Sequence, residues 1–552
     1  MSTTDDRAEL IAAARAWTAQ DPDPVTRAEL TAIADRAPTD DEAAADLADR
    51  FSGRLEFGTA GLRGALGAGP YRMNRVVVTQ AAAGLAGYLR EHPVEGQSGV
   101  VIGYDARHNS DVFARDTAEI MRGAGIAAYV LPRPLPTPVL AYAIRPLHCA
   151  AGVMVTASHN PPQDNGYKVY LGDGSQIVPP ADADIAKAID GVGPIAELPR
   201  GTDYTVLDES VVDDYVAAVT ALPRADGPRE IGFAYTPLHG VGASVVRDVL
   251  DRTGFGPRHE TAEQIDPDPD FSTVAFPNPE EPGAMDLALA TATRTGSELV
   301  IANDPDADRL AVAVPSIQGW RLLRGDEVGA LLADHTLRRG VSGTYATTIV
   351  SSSLLGRMAA AHDQPYVETL TGFKWLSRVE GLAFGYEEAL GYCLAPEIAR
   401  DKDGISALVR LLELAAELKA DGRTLVDRLD EIAERYGLHA TDQLSMRVAD
   451  LSLIGNAMAR LRAEPPATLG GLPVDTVDDL AAGSATLPPT EGLRFRLAEG
   501  ARVVVRPSGT EPKLKCYLEV VVPVTDGVDA ARIAAAGRLD AIRSDLAAAL
   551  EL

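Results

Sequence analysis

The chain has 552 residues, enough for three or four domains at about 150 residues each. Hydrophobic residues make up 46% and charged residues 24%, an ordinary globular composition that excludes wholesale disorder. Lys and Arg number 51 against 79 Asp and Glu, a formal charge of −28, which argues against nucleic acid and against an anionic membrane surface as partners.

Residues 1–45 read as a pair of polar, Ala-rich helices. Strand-like runs then alternate with helical patterns. VVIGYD (100–105) is a strand and DVFARDTAEIMRGAG (111–125) an amphipathic helix closed by glycine. AAYVLP (127–132) and AAGVMVT (150–156) are further apolar strands. The Gly- and Pro-bearing stretch 190–205 reads as a linker. A second α/β unit follows, with IGFAYTPLHG (231–240) and ELVIAND (298–304). A third carries YATTIVSS (345–352), FGYEE (384–388) and a long helix over 405–420. AEPPATLGGLP (463–473) punctuates the last unit, which ends in strands at 502–506 and 514–523 and an Ala-rich helix. The expected fold is therefore α/β, with domains at 1–205, 206–318, 319–438 and 439–552. The first three carry mixed, largely parallel sheets, and the smaller last one is α+β.

The three cysteines, Cys149, Cys393 and Cys516, are far apart and form no CxxC pair, so neither a disulfide framework nor a zinc site is expected. The acidic start MSTTDDRAEL does not read as a signal peptide, and no apolar run approaches ~20 residues. A cytoplasmic protein is expected. Cations for an anionic ligand must then be concentrated locally, and five of the seven lysines do fall in motifs: Lys168, Lys374, Lys402, Lys513 and Lys515.

Four motifs carry chemistry. In Thr156-Ala157-Ser158-His159-Asn160-Pro161 an apolar strand runs straight into a serine, and the prolines after it stop a helix. No G-x-S-x-G elbow surrounds Ser158, which excludes that kind of serine hydrolase. In Asn303-Asp304-Pro305-Asp306-Ala307-Asp308-Arg309 three carboxylates end a buried strand. Like charges this close call for a cation, and oxygen donors suit Mg²⁺; the loop lacks the Gly and Glu of a calcium EF-hand. Arg506-Pro507-Ser508-Gly509-Thr510-Glu511-Pro512 offers a guanidinium, hydroxyls and N–H groups to a phosphate, with Lys513 or Lys515 beside it, though it is no Walker A loop. Glu387 and Glu388, flanked by Gly385 and Gly391, can grip sugar hydroxyls. Smaller clusters are Thr371-Gly372-Phe373-Lys374, Arg400-Asp401-Lys402-Asp403-Gly404 and the Gly-rich turn 58–64, which holds Arg63.

Together, TASHNP, DPDADR and RPSGTEPK in this order resemble the α-D-phosphohexomutase superfamily, the phosphoglucomutases and phosphomannomutases, from about Arg54 to Tyr517. RLEFGTAGLRG, NPPQDNGYKVY, TGFKW and GYEEALGY are most similar to its phosphoglucomutase-2-like bacterial phospho-sugar mutases. The resemblance implies four domains around a central cleft and an intramolecular phosphotransferase acting on hexose 1- and 6-phosphates. It implies Ser158 as a phosphoserine and Mg²⁺ held by Ser158, Asp304, Asp306 and Asp308. His159 and Arg63 join the catalytic set, and Lys168 and Lys402 are candidates for general acid/base roles, which need a lowered lysine pKa supplied by neighbouring cations. Arg309, Thr371, Gly372, Lys374, Glu387, Glu388, Arg506, Ser508, Gly509, Thr510 and Lys515 would bind substrate. A sugar 1,6-bisphosphate would be intermediate and activator. Sugar phosphates are the expected partners of a monomer or homodimer. Ala389 stands where many hexose mutases carry a serine. That raises phosphopentomutase as a rival, alongside a bisphosphate synthase and a sugar-phosphate sensor.

Overall fold

Aspartate caps divide the Ala-rich N-terminal stretch. A computed structural model describes residues 4–58, 61–448, 451–508 and 513–550. It has three N-terminal helices, Thr4–Gln20, Pro24–Arg36 and Asp41–Arg50, where the sequence suggested two. Asp23 accepts the Val25 N–H with Pro24 at the first helical position, and Asp40 accepts the N–H groups of Glu42 and Ala43. Each cap satisfies orphan donors and starts a new helix in a composition that looks continuous.

The chain folds as two units, residues 1–322 with 395–413, and residues 323–394 with 414–552. The first unit holds two sheets. In one, the order is Leu62–Ala65, Asp164–Leu171, Ala151–Val155, Val100–Tyr104, Ala128–Val130, Thr205–Val206. Its middle is parallel, Val100–Tyr104 running beside Ala151–Val155 and Ala128–Val130, while Asp164–Leu171 pairs antiparallel with both its neighbours. Ala151–Val155 is buried along its whole length, as a strand covered on both faces must be. The expected linker 190–205 is partly structural. Ile195 is buried in a short 3₁₀ turn, and Thr205–Val206 adds a parallel edge to Tyr129–Val130.

The second sheet of this unit runs Gly319–Leu322, Ala311–Ser316, Leu299–Ala302, Glu230–Thr236, Gly256–Glu260. It is parallel around Glu230–Thr236 and antiparallel toward the Gly319 hairpin. In the other unit, a four-stranded sheet is ordered Tyr366–Thr369, Thr344–Thr348, Leu382–Glu387, Gly391–Cys393, with only the last pair antiparallel. A six-stranded antiparallel sheet, from Leu438–Arg447 through Lys513–Val522 and Arg502–Pro507 to Thr468–Leu469, is covered by the helix Val528–Leu550. The fold class is thus α/β with an α+β C-terminal part, as the alternation of patterns indicates. Among the described residues no helix is long and apolar enough to cross a membrane.

Candidate active site

The strand Ala151–Val155 delivers Ser158 into a tight turn. Its φ of 53° lies in the left-handed region, uncommon for a residue with a Cβ. The Ser158 N–H donates to Thr156 Oγ1 at 2.8 Å, and its hydroxyl donates to Asp304 Oδ2 at 2.9 Å and lies 3.1 Å from His159 Nδ1. The strand Leu299–Ala302 delivers the three aspartates, all fully buried. Ala307, at φ 53°, turns the loop between Asp306 and Asp308.

Cations hold this acidic cluster together. Lys168, from the strand Asp164–Leu171, donates to Asp306 Oδ2 at 2.7 Å and Asp308 Oδ2 at 2.9 Å. Lys402 Nζ lies 3.4 Å from Asp308 Oδ2, and Arg309 Nε 3.9 Å from Asp304 Oδ2. Arg63 reaches the serine loop by donating to Asn160 Oδ1 at 3.2 Å. Burial and its two carboxylate neighbours push Asp304 well above the usual carboxylate range. Burial also opposes the charge of Asp306, but Lys168 outweighs it and holds Asp306 low. Burial, Arg309 and Arg63 keep His159 neutral.

Lys168 departs from expectation. Burial works against its charge, but Asp306 and Asp308 prevail and raise its pKa instead of lowering it. The neighbouring cation Lys402 is outvoted by two carboxylates at hydrogen-bond distance.

Lys402 is placed by its flanking aspartates. Asp401 accepts hydrogen bonds from Tyr170 Oη and Gln176 Nε2, each at 2.7 Å. Asp403 accepts from Tyr215 Oη and caps the following helix through the N–H groups of Ile405 and Ser406. Gly404 lets the loops touch: a Cβ there would lie 2.2 Å from the Arg309 carbonyl oxygen. Gly61 serves the Arg63 turn in the same way, at φ 79° with a Cβ position 1.8 Å from the Tyr167 carbonyl oxygen.

The residues fit a hard divalent cation. Oxygens of Asp304, Asp306 and Asp308 lie within 4.8 Å of one another. Asp306 Oδ1 and Asp308 Oδ1 are buried without a hydrogen-bond partner among the described residues. Buried carboxylate oxygens that accept no hydrogen bond are costly unless a cation takes them, and the nearest cation to Asp308 Oδ1, Arg309 Nε, is 4.0 Å away.

The other unit carries the remaining expected residues. Glu387 ends the strand Leu382–Glu387. Glu388 turns inward: Ser351 Oγ donates to its Oε2 at 2.9 Å, Thr348 Oγ1 donates at 3.2 Å, and its own N–H donates to Ser351 Oγ. Burial, then Glu387 and Asp326, push its carboxyl up to about 7. Thr371 and Gly372 precede a short helical turn, Phe373–Leu376, in which Lys374 Nζ sits 5.1 Å from the Trp375 ring centre. Arg506 and Lys515 are cross-strand partners, two cations on one face beside the phosphate-loop motif. The Ser508 N–H donates to the Lys513 carbonyl. Arg506 and both glutamates act on the Tyr517 hydroxyl, so these groups are neighbours. Gly509 and Thr510 lie outside the described residues, as do Thr59 and Ala60 of the Gly-rich turn.

Sequence reasoning missed three residues. Thr137 Oγ1 donates to Asp306 Oδ2 at 2.7 Å. Ser351 holds Glu388. Arg107, two residues beyond VVIGYD, grips the backbone of the Ser158 loop. The signal was its place past the carboxyl end of Val100–Tyr104, whose parallel neighbour feeds Ser158.

A serine hydroxyl on a carboxylate cluster, ringed by cations beyond the ends of α/β strands, belongs to the class of phosphoryl-transfer sites. The chain matches the models of phosphoglucomutase/phosphomannomutase α/β/α domains I, II and III at residues 54–193, 213–318 and 324–436, and of the C-terminal domain at 447–536. It belongs to the phosphoglucomutase/phosphomannomutase family and is an isomerase of the phospho-sugar mutase kind. A probable phosphomannomutase of Haemophilus influenzae is 51% identical over 455 residues, covering 81% of this chain and 93% of its own. The phosphopentomutase of Homo sapiens is 36% identical over 533 residues, covering 87% of each. The structure of a phosphoglucomutase/phosphomannomutase family protein from Burkholderia thailandensis superposes with a TM-score of 0.70 at 21% identity, over 90% of this chain and 98% of that one, and so shares the fold.

Proposed function

We propose that the chain interconverts hexose 1-phosphate and hexose 6-phosphate, with glucose or mannose as the sugar, using Ser158 as the phosphate carrier. The observation that carries this is the 2.9 Å hydrogen bond from Ser158 Oγ to Asp304 within the buried aspartate cluster. Ser158, Asp304, Asp306 and Asp308 would hold Mg²⁺, which when bound neutralises charge on the transferring phosphoryl oxygens. Arg309 and Arg63 face the same charge from the protein side. In the first half-reaction the bond between phosphorus and Ser158 Oγ breaks, a bond forms between phosphorus and a hydroxyl oxygen of the sugar monophosphate, and the proton of that hydroxyl ends on the freed Ser158 Oγ. The bisphosphate then returns its other phosphate to Ser158. Lys168, hydrogen-bonded to Asp306 and Asp308, places a positive charge beside the transferring group and would stabilise its anionic oxygens. Lys402 Nζ adds a second cation 3.4 Å from Asp308 Oδ2, and His159 enters as a neutral imidazole.

Binding the sugar falls to Glu387, with Thr371, Gly372 and Lys374 beside it, while Arg506, Ser508, Gly509, Thr510 and Lys515 take the phosphate that does not react. A sugar 1,6-bisphosphate would prime Ser158. The 51% identity to a probable phosphomannomutase supports a hexose. A pentose 1- and 5-phosphate reading has its own support in Ala389 and in the 36% identity to the human phosphopentomutase. Coupled assays with glucose, mannose and deoxyribose 1-phosphates decide between them. We expect a hexose to lead, and a deoxyribose preference of more than about tenfold in kcat/KM would reverse the assignment. Release of bisphosphate as the main product would instead identify a synthase.

A further inference from the structure

We infer that Arg107 is a positioning residue for the nucleophile: its guanidinium fixes the left-handed backbone at Ser158 that turns the hydroxyl onto Asp304. The inference rests on reading Ser158 as the phosphate carrier. One guanidinium serves four carbonyls of the serine loop. Nη2 donates to Ser158 O at 2.7 Å and Asn160 O at 2.5 Å, and Nη1 donates to Pro161 O at 2.8 Å and Asp164 O at 3.2 Å. Thr156 Oγ1 accepts the Ser158 N–H, so the peptide planes before and after the serine are both pinned. A residue with a Cβ adopts φ of 53° only where its surroundings overdetermine it, and these five hydrogen bonds supply that constraint.

Arg107 is itself held fast. Its Nε lies 3.3 Å from Asp105 Oδ2, and its guanidinium carbon sits 4.7 Å from the centre of the Phe271 ring. Ser110 Oγ fixes Asp105 at 2.7 Å. Arg107, Asp105 and Phe271 are all buried. The fork geometry matters more than the charge: lysine would keep the cation, but its single ammonium cannot span four carbonyls. Misplacing a nucleophile by about 1 Å can cost on the order of a hundredfold in rate, so a loop clamp of this kind should govern phosphoryl transfer and leave the grip on the sugar alone.

The test compares wild type, Arg107→Lys and Phe271→Leu. Each chain is mixed with glucose 1,6-bisphosphate or its mannose counterpart, and phosphorylation of Ser158 is timed by intact mass. Arg107→Lys is expected to fold with a lowered thermal midpoint, because carbonyls of the serine loop lose their donor, and to keep its KM for hexose phosphate within about twofold, while phosphorylation and kcat fall about tenfold or more. Phe271→Leu, which loosens the guanidinium without removing a hydrogen-bond donor, should slow phosphorylation in the same direction. This second variant decides the matter if Arg107→Lys does not fold. A wild-type phosphorylation rate in either folded variant, or a loss confined to KM, overturns the inference alone. A wild-type chain that takes up no phosphate overturns the mutase reading and this inference with it.

Discussion

At Lys168 two buried carboxylates decide the protonation state. An ammonium 2.7 Å from Asp306 and 2.9 Å from Asp308 is stabilised as a cation even though burial alone would neutralise it. Asp306→Asn removes the negative charge shared by Lys168 and Thr137. The variant should retain its far-UV spectrum and lose activity dependent on divalent metal; retained activity would remove Asp306 from the acidic site. Glu388 makes a different prediction. Its carboxyl titrates near 7 in the fold against an ordinary value of 4.5, so between these values the folded chain keeps a proton that the unfolded chain releases. Its contribution to stability is whole below 4.5, declines as pH rises through about 7, and is flat above. Glu388→Gln stays uncharged throughout. Its melting temperature should therefore gain on the wild type as pH rises from about 5 to about 7. A constant difference would show that Glu388 is already ionised in the fold. Lys168 and Glu388 were both legible as polar residues in motifs. Their charge states were not, because these depend on partners distant in the chain.

At the scale of elements, the buried runs were the legible part. AAGVMVT and ELVIAND read as strands because parallel strands covered on both faces are apolar without alternation. The third N-terminal helix was hidden because Asp40 resembles any acidic residue in an Ala-rich stretch until its carboxylate is seen accepting two N–H groups. Arg107 was hidden for a deeper reason. The four groups of the serine loop that it holds are backbone carbonyls, which leave no mark in the sequence. Gly404 shows the converse, since a glycine after Asp-Lys-Asp marks a close approach. Gly404→Ala would drive a Cβ into the Arg309 carbonyl and push the start of the helix Gly404–Ala420 away from the aspartate loop. The expected result is a lowered thermal midpoint together with reduced kcat. An unchanged midpoint and kcat would mean that the loop gives way without consequence.

Across the whole molecule, a net charge of −28 makes the cations gathered at the site the decisive feature. Arg63, Lys168, Arg309 and Lys402 gather around the three aspartates, and Arg506 faces Lys515 across two strands of the other unit. Motif order identified the family, and the four matched domain models follow the same order along the chain. Sugar identity was less legible, because one hydroxyl more or less on a pentose or hexose is read by few side chains. The most direct measurement starts from chain labelled with radioactive phosphate on Ser158, freed of excess bisphosphate and mixed with unlabelled hexose 1-phosphate. The label is predicted to leave Ser158 and appear in hexose bisphosphate and then hexose 6-phosphate, and Ser158→Ala should take up no label at all. Label that stays on the serine, or is released only as inorganic phosphate, would contradict a phosphate shuttled by Ser158.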